Sequence, residues 1–310
     1  MNQAGARDRD GDGPVAMAYW AGWANDPIPD LYFRLGLAFA LLEGNGTSEP
    51  YWTNYEKSGN FENWGPEGTT YYTWNHWLRT HGNGEQGAIT QVCYGGATDE
   101  NSRRVITDGT ALDNLAGEIK ANIEKYFFGG LDLDIEGWWL YDRASNERFA
   151  KNLVQVVDVV ANGIPSWKPI TVAVGASAAG PIPSVGPDNY TGTMAPFLTD
   201  PVMAKVSRIN IMSYNLDIEN LYGNLDDIGA ILRTFTDLGV DARKLSIGIQ
   251  PIQQSGQPSA SLDTVEQLGA YLRENGYGGA FLWGIGAPEN PSYPTSAEYM
   301  TRMMKGLGLI

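Results

Sequence analysis

Short runs of apolar residues recur along the chain, each bounded by turn residues such as Gly, Pro, Asn and Asp. The runs lack strict alternation of polar and apolar positions, which is typical of strands buried on both faces of a parallel sheet. They predict eight strands, at residues 15–20, 35–42, 88–94, 130–136, 170–176, 207–214, 245–249 and 279–283.

Between the predicted strands, apolar residues recur at intervals of three and four, as on one face of a helix. Leu112, Leu115 and Ile119 begin one such stripe. The helices predicted in this way span residues 112–126, 149–161, 225–238, 262–273 and 297–307. Repeated alternation of strand and helix favours a single (β/α)8 TIM barrel. An open doubly wound sheet is the alternative, although no dinucleotide-binding or P-loop glycine motif follows any strand.

The chain is expected to form one catalytic domain over residues 15–310, preceded by a flexible tail at residues 1–14. No shift in composition marks a second domain. An unusually long β2–α2 loop, residues 44–86, is rich in aromatic residues. Such a long connection indicates either a functional surface or a small core that holds the loop together.

The charge balance limits the choice of partner. The chain has 21 Lys and Arg against 36 Asp and Glu, a net charge of −15 with His neutral. Such a chain repels nucleic acid unless a local basic patch compensates, and the sequence shows no such patch. No stretch approaches the roughly 18 consecutive apolar residues of a membrane span. We therefore expect neither a nucleic acid nor a membrane as partner.

The sequence offers few ligands for a cofactor. Cys93 is the single cysteine, which excludes an intramolecular disulfide, and the only histidines are His76 and His81. This set argues against a zinc or haem site, so we expect no metal and no cofactor. Residues 1–14 are polar and show no secretory signal.

The most informative stretch is the fourth predicted strand. Apolar and acidic residues alternate there, so Asp132, Asp134 and Glu136 share one face at intervals of about 7 Å. In a barrel this face points inward, and the last carboxylate emerges at the carboxyl end of the strands, where such enzymes have their active sites. Because burial and like charges raise the pKa of a carboxyl group, Glu136 is a candidate proton donor. A solvated edge strand and a divalent-metal site are the alternatives.

These residues resemble a known family. Residues 129–136 (GGLDLDIE) are similar to the D-G-x-D-x-D-x-E motif of family 18 glycoside hydrolases, the chitinases and endo-β-N-acetylglucosaminidases, which are (β/α)8 barrels. Other segments resemble the family in the same order: residues 37–40 (LAFA) its second strand, residues 93–96 (CYGG) its S-x-G-G motif, residues 212–215 (MSYN) its M-x-Y-D/N motif, and Trp283 the tryptophan that ends its eighth strand.

Two positions depart from the family pattern. Gly129 stands where the family has the first Asp of the acidic motif, and Cys93 stands where it has the Ser of S-x-G-G. The missing Asp removes a buried carboxyl group that in the family shares hydrogen bonds with the next one. Asp132 must therefore find other partners or stay protonated.

The resemblance implies substrate-assisted hydrolysis with retention of configuration. Glu136 would protonate the glycosidic oxygen while the 2-acetamido oxygen of the substrate attacks the anomeric carbon. Asp134 would orient the acetamide, Tyr214 would donate a hydrogen bond to its carbonyl oxygen, and Asp132 would complete the catalytic set. The implied substrate-binding residues are Trp283, as the floor beneath a sugar ring, with Asn215, Met212, Tyr19, Phe39, Gly95, Gly96 and Trp138.

The expected partner is a β-1,4-linked N-acetylglucosamine polysaccharide or glycan, bound by a monomeric enzyme. Chitin or chito-oligosaccharide is the first expectation for the substrate. The chitobiose core of N-linked glycans is the alternative, and a non-catalytic glycan-binding barrel is a further one. A polysaccharide hydrolase is expected to be secreted, with a cytoplasmic location as the alternative.

Overall fold

The computed structural model of the protein describes residues 13–21, 34–41, 51–52, 90–97, 99–125, 128–214, 216, 221–250, 260–285 and 293–310. Several expectations fall on residues outside these ranges: the tail up to residue 12, most of the aromatic loop, both histidines and Asn215.

Eight parallel strands form a closed barrel, which confirms the predicted fold class and excludes the open doubly wound sheet. Each strand pairs with the next along the chain, and the last pairs with the first. The strands are β1 (Val15–Ala21), β2 (Arg34–Leu41), β3 (Thr90–Gly95), β4 (Gly130–Asp134), β5 (Ile170–Gly175), β6 (Arg208–Met212), β7 (Leu245–Ile249) and β8 (Gly279–Ile285).

One short strand was not predicted. Tyr51–Trp52, within the long aromatic segment after β2, pairs antiparallel with the end of β2. Trp52 lies opposite Ala40, and Tyr51 lies opposite Leu41. The sequence pattern could not indicate this pairing, because two residues are too few to show a period.

Helices cover the outside of the barrel. They are α1 (Glu100–Asp108), α2 (Leu112–Lys125), α3 (Arg143–Gly163), α4 (Ala195–Leu198), α5 (Leu225–Thr236), α6 (Leu262–Glu274) and α7 (Ser296–Leu307), with 3-10 turns at Trp138–Leu140, Pro201–Lys205, Leu221–Gly223 and Ala242–Lys244. All five predicted helices are present. Among the described residues, no helix combines the length and apolar character needed to cross a membrane.

Helices α3 and α1 differ from the prediction, and the local sequence explains each difference. The predicted start of α3 was residue 149, but the helix begins at Arg143 because the Asp142 side chain caps it by accepting from the Ser145 amide at 2.7 Å. The first turns of α3 are polar, so no apolar stripe marks them. Helix α1 was not predicted, since its buried face includes the polar side chains of Ser102 and Arg103.

The barrel has two apolar regions. The larger one lies between the strands and the helices. The smaller one, which we call the inner cluster, is inside the barrel and consists of Met17, Tyr19, Ala38, Phe39, Cys93, Ala173, Met212 and Phe281. Trp138, Tyr214 and Trp283 are half-buried and pack against it. The inner cluster therefore forms the base on which the candidate site is built.

Candidate active site

Strand β4 carries the acidic residues of the site. Asp132 and Asp134 are buried, at 0% and 3% exposure, and Glu136 follows the last residue of the strand and is half-buried. Asp132 pairs in register with Cys93 of β3 and with Thr171 of β5. The period of two along a strand turns the intervening Leu133 outward to the helices, where it joins the larger core.

Asp132 accepts hydrogen bonds from four side chains, each on a different strand. Tyr19 Oη and Cys93 Sγ both donate to Oδ2 at 3.0 Å. Asn210 Nδ2 donates to Oδ1 at 3.1 Å, and Thr171 Oγ1 also donates to Oδ1. Asp132 thus has the other hydrogen-bond partners that the glycine at position 129 led us to expect. Cys93 thus serves as a hydrogen-bond donor inside the barrel.

The surroundings of Asp132 pull its pKa in two directions. Burial raises the pKa, and the four donors lower it because they stabilise the ionised form. The net direction is upward from the ordinary value. A second set of bonds holds the donors in place: Asn210 Nδ2 also donates to Tyr19 Oη at 2.9 Å, and Gln91 Nε2 donates to Thr171 Oγ1 at 3.0 Å.

Asp134 differs from Asp132 in its hydrogen bonding. Its Oδ1 is buried and has no hydrogen-bond partner among the described residues. Burial and then the nearby charges of Glu136 and Asp132 raise the pKa of Asp134 well above its ordinary value. Burial alone raises the pKa of Glu136 from 4.5 to about 7. Since two neighbouring carboxyl groups resist double ionisation, this pair retains a proton near neutral pH.

Two glycines let β3 approach the end of β4. The Gly96 amide donates to the Asp134 carbonyl oxygen at 2.6 Å. A Cβ atom at Gly95 would lie 2.1 Å from that same oxygen, and Gly95 has a φ of +117°, so no other residue fits. A Cβ at Gly96 would lie 2.6 Å from the Phe39 ring. These two glycines therefore allow close packing around the Asp134 backbone.

Tyr214 follows β6 and lies over the inner cluster. Its ring meets the Phe281 ring edge-on, with centroids 6.3 Å apart. Gly248 leaves room for it, since a Cβ there would lie 2.9 Å from Tyr214 Cε1. Burial, together with the charges of Asp134 and Glu136, raises the pKa of Tyr214 well above its ordinary value. The hydroxyl therefore keeps its proton and remains available as a hydrogen-bond donor.

Trp283 and Trp138 are half-buried aromatic side chains on this side of the barrel. Trp283 stacks on Phe39, with ring centroids 5.3 Å apart and an interplanar angle of 29°. Trp138 stacks on Tyr190 at 4.7 Å and 22°. Trp139, in edge contact with Trp138, is 53% exposed. Half-buried aromatic faces of this kind suit the apolar face of a sugar ring.

A buried arginine holds the turn that follows Glu136. The Arg103 guanidinium lies 3.7 Å from the centroid of the Phe149 ring and donates to Asn146 Oδ1. Asn146 Nδ2 in turn donates to the Trp138 carbonyl oxygen at 3.2 Å. Burial lowers the pKa of Arg103 to about 10. This chain of contacts fixes the position of the Trp138–Leu140 turn relative to α1 and α3.

Three residues that were expected to contact substrate are buried inside the barrel. Tyr19, Met212 and Phe39 are 1%, 4% and 7% exposed and belong to the inner cluster. Tyr19 is instead a partner of Asp132, and Phe39 supports Trp283. They are buried because their strands place them inside the barrel beneath the half-buried rings.

The sequence analysis missed Thr171, Asn210 and Tyr190. Thr171 and Asn210 each interrupt an apolar strand, ITVAVG and RINIM, with a polar side chain. A buried polar side chain needs a partner, so such interruptions were a usable signal. Tyr190 follows no strand and gave no signal. The described residues contain no group of three or more His, Cys, Asp or Glu arranged to hold a metal ion.

The comparisons define the class of fold. No protein-family model matches the chain, and no curated protein matches its sequence. Solved structures of chitinases, two of which are named as family 18 enzymes, match it along almost their whole length. The chain thus has the (β/α)8 barrel fold that these chitinases share.

Three of these structures illustrate the similarity. A family 18 chitinase from Pseudoalteromonas aurantia has a TM-score of 0.70 and 15% identity, covering 94% of this chain and 99% of its own. A chitinase from Rhizomucor miehei has a TM-score of 0.64 and 15% identity, covering 96% and 100%. A mutant of a Cycas revoluta chitinase, in complex with (GlcNAc)4, has a TM-score of 0.63 and 15% identity, covering 95% and 98%.

Proposed function

We propose that the protein is a retaining endo-glycosidase that hydrolyses β-1,4-linked N-acetylglucosamine in chitin or chito-oligosaccharides. The observation that carries the proposal is the carboxyl pair at the end of β4. Glu136 has a pKa raised to about 7, and the buried Asp134 beside it has an unpartnered oxygen. The fold shared with chitinases, one of them solved with (GlcNAc)4, supports the choice of substrate.

In this mechanism Glu136 acts first as an acid. Its proton passes to the glycosidic oxygen as the bond from that oxygen to the anomeric carbon breaks. A group with a pKa near 7 is still protonated at neutral pH and gives up its proton readily. In the second step the Glu136 carboxylate takes a proton from water as the water oxygen attacks the anomeric carbon.

Asp134 and Tyr214 would act on the acetamide group of the substrate. The acetamide carbonyl oxygen bonds to the anomeric carbon as the leaving group departs, giving an oxazolinium ion, and water later breaks that bond. Asp134 Oδ1 accepts the acetamide N–H and stabilises the positive charge that develops on the nitrogen. Tyr214 donates a hydrogen bond to the attacking carbonyl oxygen. Two displacements at one carbon give retention of configuration.

The test compares the wild type with Glu136→Gln on fluorogenic chito-oligosaccharides and on a high-mannose glycopeptide. We expect the wild type to hydrolyse the chito-oligosaccharides, and the variant to lose activity by about 10³-fold, the middle of the range for a general acid. Glu147→Gln, an exposed carboxyl group on α3, is the matched control and should keep full activity.

Other results of this test would each contradict part of the proposal. Release of the glycan from the glycopeptide alone would identify an endo-β-N-acetylglucosaminidase. Binding of either substrate without hydrolysis would identify a glycan-binding barrel and overturn the enzyme proposal. Hydrolysis of a substrate whose amino groups lack acetyl would contradict substrate assistance.

A further inference from the structure

The turn that follows Glu136 exposes two large apolar side chains. Trp139 is 53% exposed, and the adjacent Leu140 is 60% exposed. Among the described residues, the only other large apolar side chains with such exposure are Trp167, Leu309 and Ile310. Side chains this exposed add little to the core, so packing does not account for them. Neighbouring exposed apolar side chains beside a candidate active site indicate a surface that binds a ligand.

Hydrogen bonds fix the backbone of this turn. The Leu140 amide donates to the Gly137 carbonyl oxygen at 3.0 Å, and the Tyr141 amide donates to that of Trp138 at 3.3 Å. Gly137 has a φ of +89°, which a glycine adopts without strain. The next residue, Asp142, caps α3 and so anchors the end of the turn. A fixed backbone that presents the exposed side chains reduces the entropy lost when a ligand binds.

Trp138 connects Trp139 to the candidate active site. The two rings meet edge-on, with centroids 5.1 Å apart and an interplanar angle of 81°. Trp138 also lies at the carboxyl end of β5, since a Cβ atom at Gly175 would be 3.2 Å from Trp138 Cζ2. It stacks on Tyr190, whose pKa is raised by burial and also by the nearby charge of Glu136. The exposed Trp139 ring is therefore continuous with the surroundings of Glu136.

The position and shape of the Trp139 side chain suit a sugar unit of a bound chain. Trp139 follows Glu136 by three residues, so their Cα atoms are at most about 11 Å apart. A sugar chain held at Glu136 can thus reach the Trp139 ring within a few units. An indole ring offers a broad, flat apolar face to one face of a sugar ring, while the polar groups at the edge of the sugar stay hydrated.

We propose that Trp139 forms an outlying sugar subsite, in which its indole ring stacks on an N-acetylglucosamine unit beyond the two units that flank the scissile bond. This inference rests on the proposed function and adds to it a preference for long chains. A long chain covers both Glu136 and Trp139. A short chain bound at Glu136 leaves the Trp139 ring uncovered, so it gains nothing from this contact.

Trp139→Ala tests the proposal on chitohexaose and chitotriose, the chains of six and three N-acetylglucosamine units. We expect kcat/KM on chitohexaose to fall by about three-fold to ten-fold, the size of one aromatic stacking contact, and a clearly smaller loss on chitotriose. Trp139→Phe keeps a flat ring and should recover most of the loss. Because the side chain is exposed, both variants should fold, and equal melting temperatures check this.

Trp167→Ala is the matched control. Trp167 is 56% exposed, but it lies between α3 and β5, next to the amino end of β5 and at the opposite end of the barrel from Glu136. This variant should equal the wild type on both oligosaccharides. If Trp139→Ala loses nothing on chitohexaose, or loses equally on both oligosaccharides, the subsite is overturned and the glycosidase proposal still stands.

Calorimetric titration with chitohexaose separates this inference from the proposed function. In the Glu136→Gln background, Trp139→Ala should weaken binding by about three-fold to ten-fold. If the wild type binds chitohexaose through Trp139 without hydrolysing it, the subsite stands and the glycosidase proposal falls. If no chitohexaose binds, both fall. A wild-type dimer that Trp139→Ala dissociates, measured by analytical ultracentrifugation, would assign the ring to an interface between copies and overturn the subsite.

Discussion

Asp132 and Asp134 lie two residues apart on strand β4 but in different environments. Asp132 is inside the barrel, and Asp134 is at its rim. Asp132 in the interior accepts from four side chains, whereas Asp134 at the rim has a buried oxygen without a partner among the described residues. Both groups are buried to nearly the same degree. The difference therefore lies in the supply of donors and not in burial.

Because of this difference, the two carboxyl groups suit different roles, one in the fold and one in ligand binding. A carboxyl group whose oxygens are all occupied is committed to the fold and has no capacity left for a ligand. A buried oxygen without a partner costs free energy in the free protein, and a ligand N–H can recover that cost. The comparison gives Asp132 a structural role, and our proposal gives Asp134 a role in substrate binding. The following changes test this division.

The largest effect is expected from Asp134→Asn. The amide keeps the shape of the side chain but loses the negative charge that would stabilise the acetamide nitrogen. We expect kcat on chito-oligosaccharides to fall by about 10²-fold to 10³-fold, as for the loss of one electrostatic contact to a transition state, with substrate affinity nearly unchanged. Steady-state kinetics and calorimetric binding measure the two quantities, and wild-type turnover by the variant would contradict the substrate-assisted mechanism.

Asp132→Ala is expected to act on stability. It removes the acceptor that the side chains of Tyr19, Cys93, Thr171 and Asn210 share, so that buried donors lose hydrogen bonds, which should lower the free energy of unfolding by about 3 kcal/mol. Urea denaturation measures the change. Cys93→Ser is the mild counterpart, since a hydroxyl group still donates to Asp132, and it should cost less than about 1 kcal/mol. Similar losses in both variants would show that the network contributes little.

The last test concerns the pH dependence of stability at Glu136. Its pKa in the folded protein, about 7, is above its ordinary value of 4.5, so the folded state binds the proton more tightly. The stability that this proton contributes is complete below pH 4.5 and is lost as the pH rises through 7. Glu136→Gln should therefore melt about 5 °C higher than the wild type at pH 8, and this difference should shrink towards pH 4.5.

Thermal melts of both proteins across this pH range measure the effect. Asp134 has a raised pKa as well, so a pH dependence of the same sign should remain in Glu136→Gln. A difference between the two proteins that is constant with pH would mean that Glu136 titrates as an ordinary exposed carboxyl group.

The fold could be predicted from the sequence because its strands are buried on both faces. Continuous apolar runs such as Leu245–Ile249 stand out against the polar segments around them. The acidic positions could be predicted as well, since Asp132 and Asp134 interrupt the buried strand β4 at an interval of two and Glu136 continues this interval after the strand. Helix α1 could not, because a buried arginine that stacks on Phe149 resembles a surface residue in the sequence.

The partners of Asp132 could not be predicted either. They depend on contacts between residues far apart in the chain, and no local pattern records which strands will become neighbours across the barrel. Thr171 and Asn210 gave a partial signal as polar residues in apolar strands, but the signal does not name Asp132 as their acceptor.

The Asp132 network also bears on how the barrel folds. Its hydrogen bonds join β4 to β1, β3, β5 and β6 across sequence separations of 39 to 113 residues. Contacts this distant require long loops to close, which costs chain entropy. A slip of β4 by one residue would turn Leu131 and Leu133 inward and leave Asp132 among the helices, away from all four donors. The carboxylate thus selects against compact states in which the strands are paired out of register.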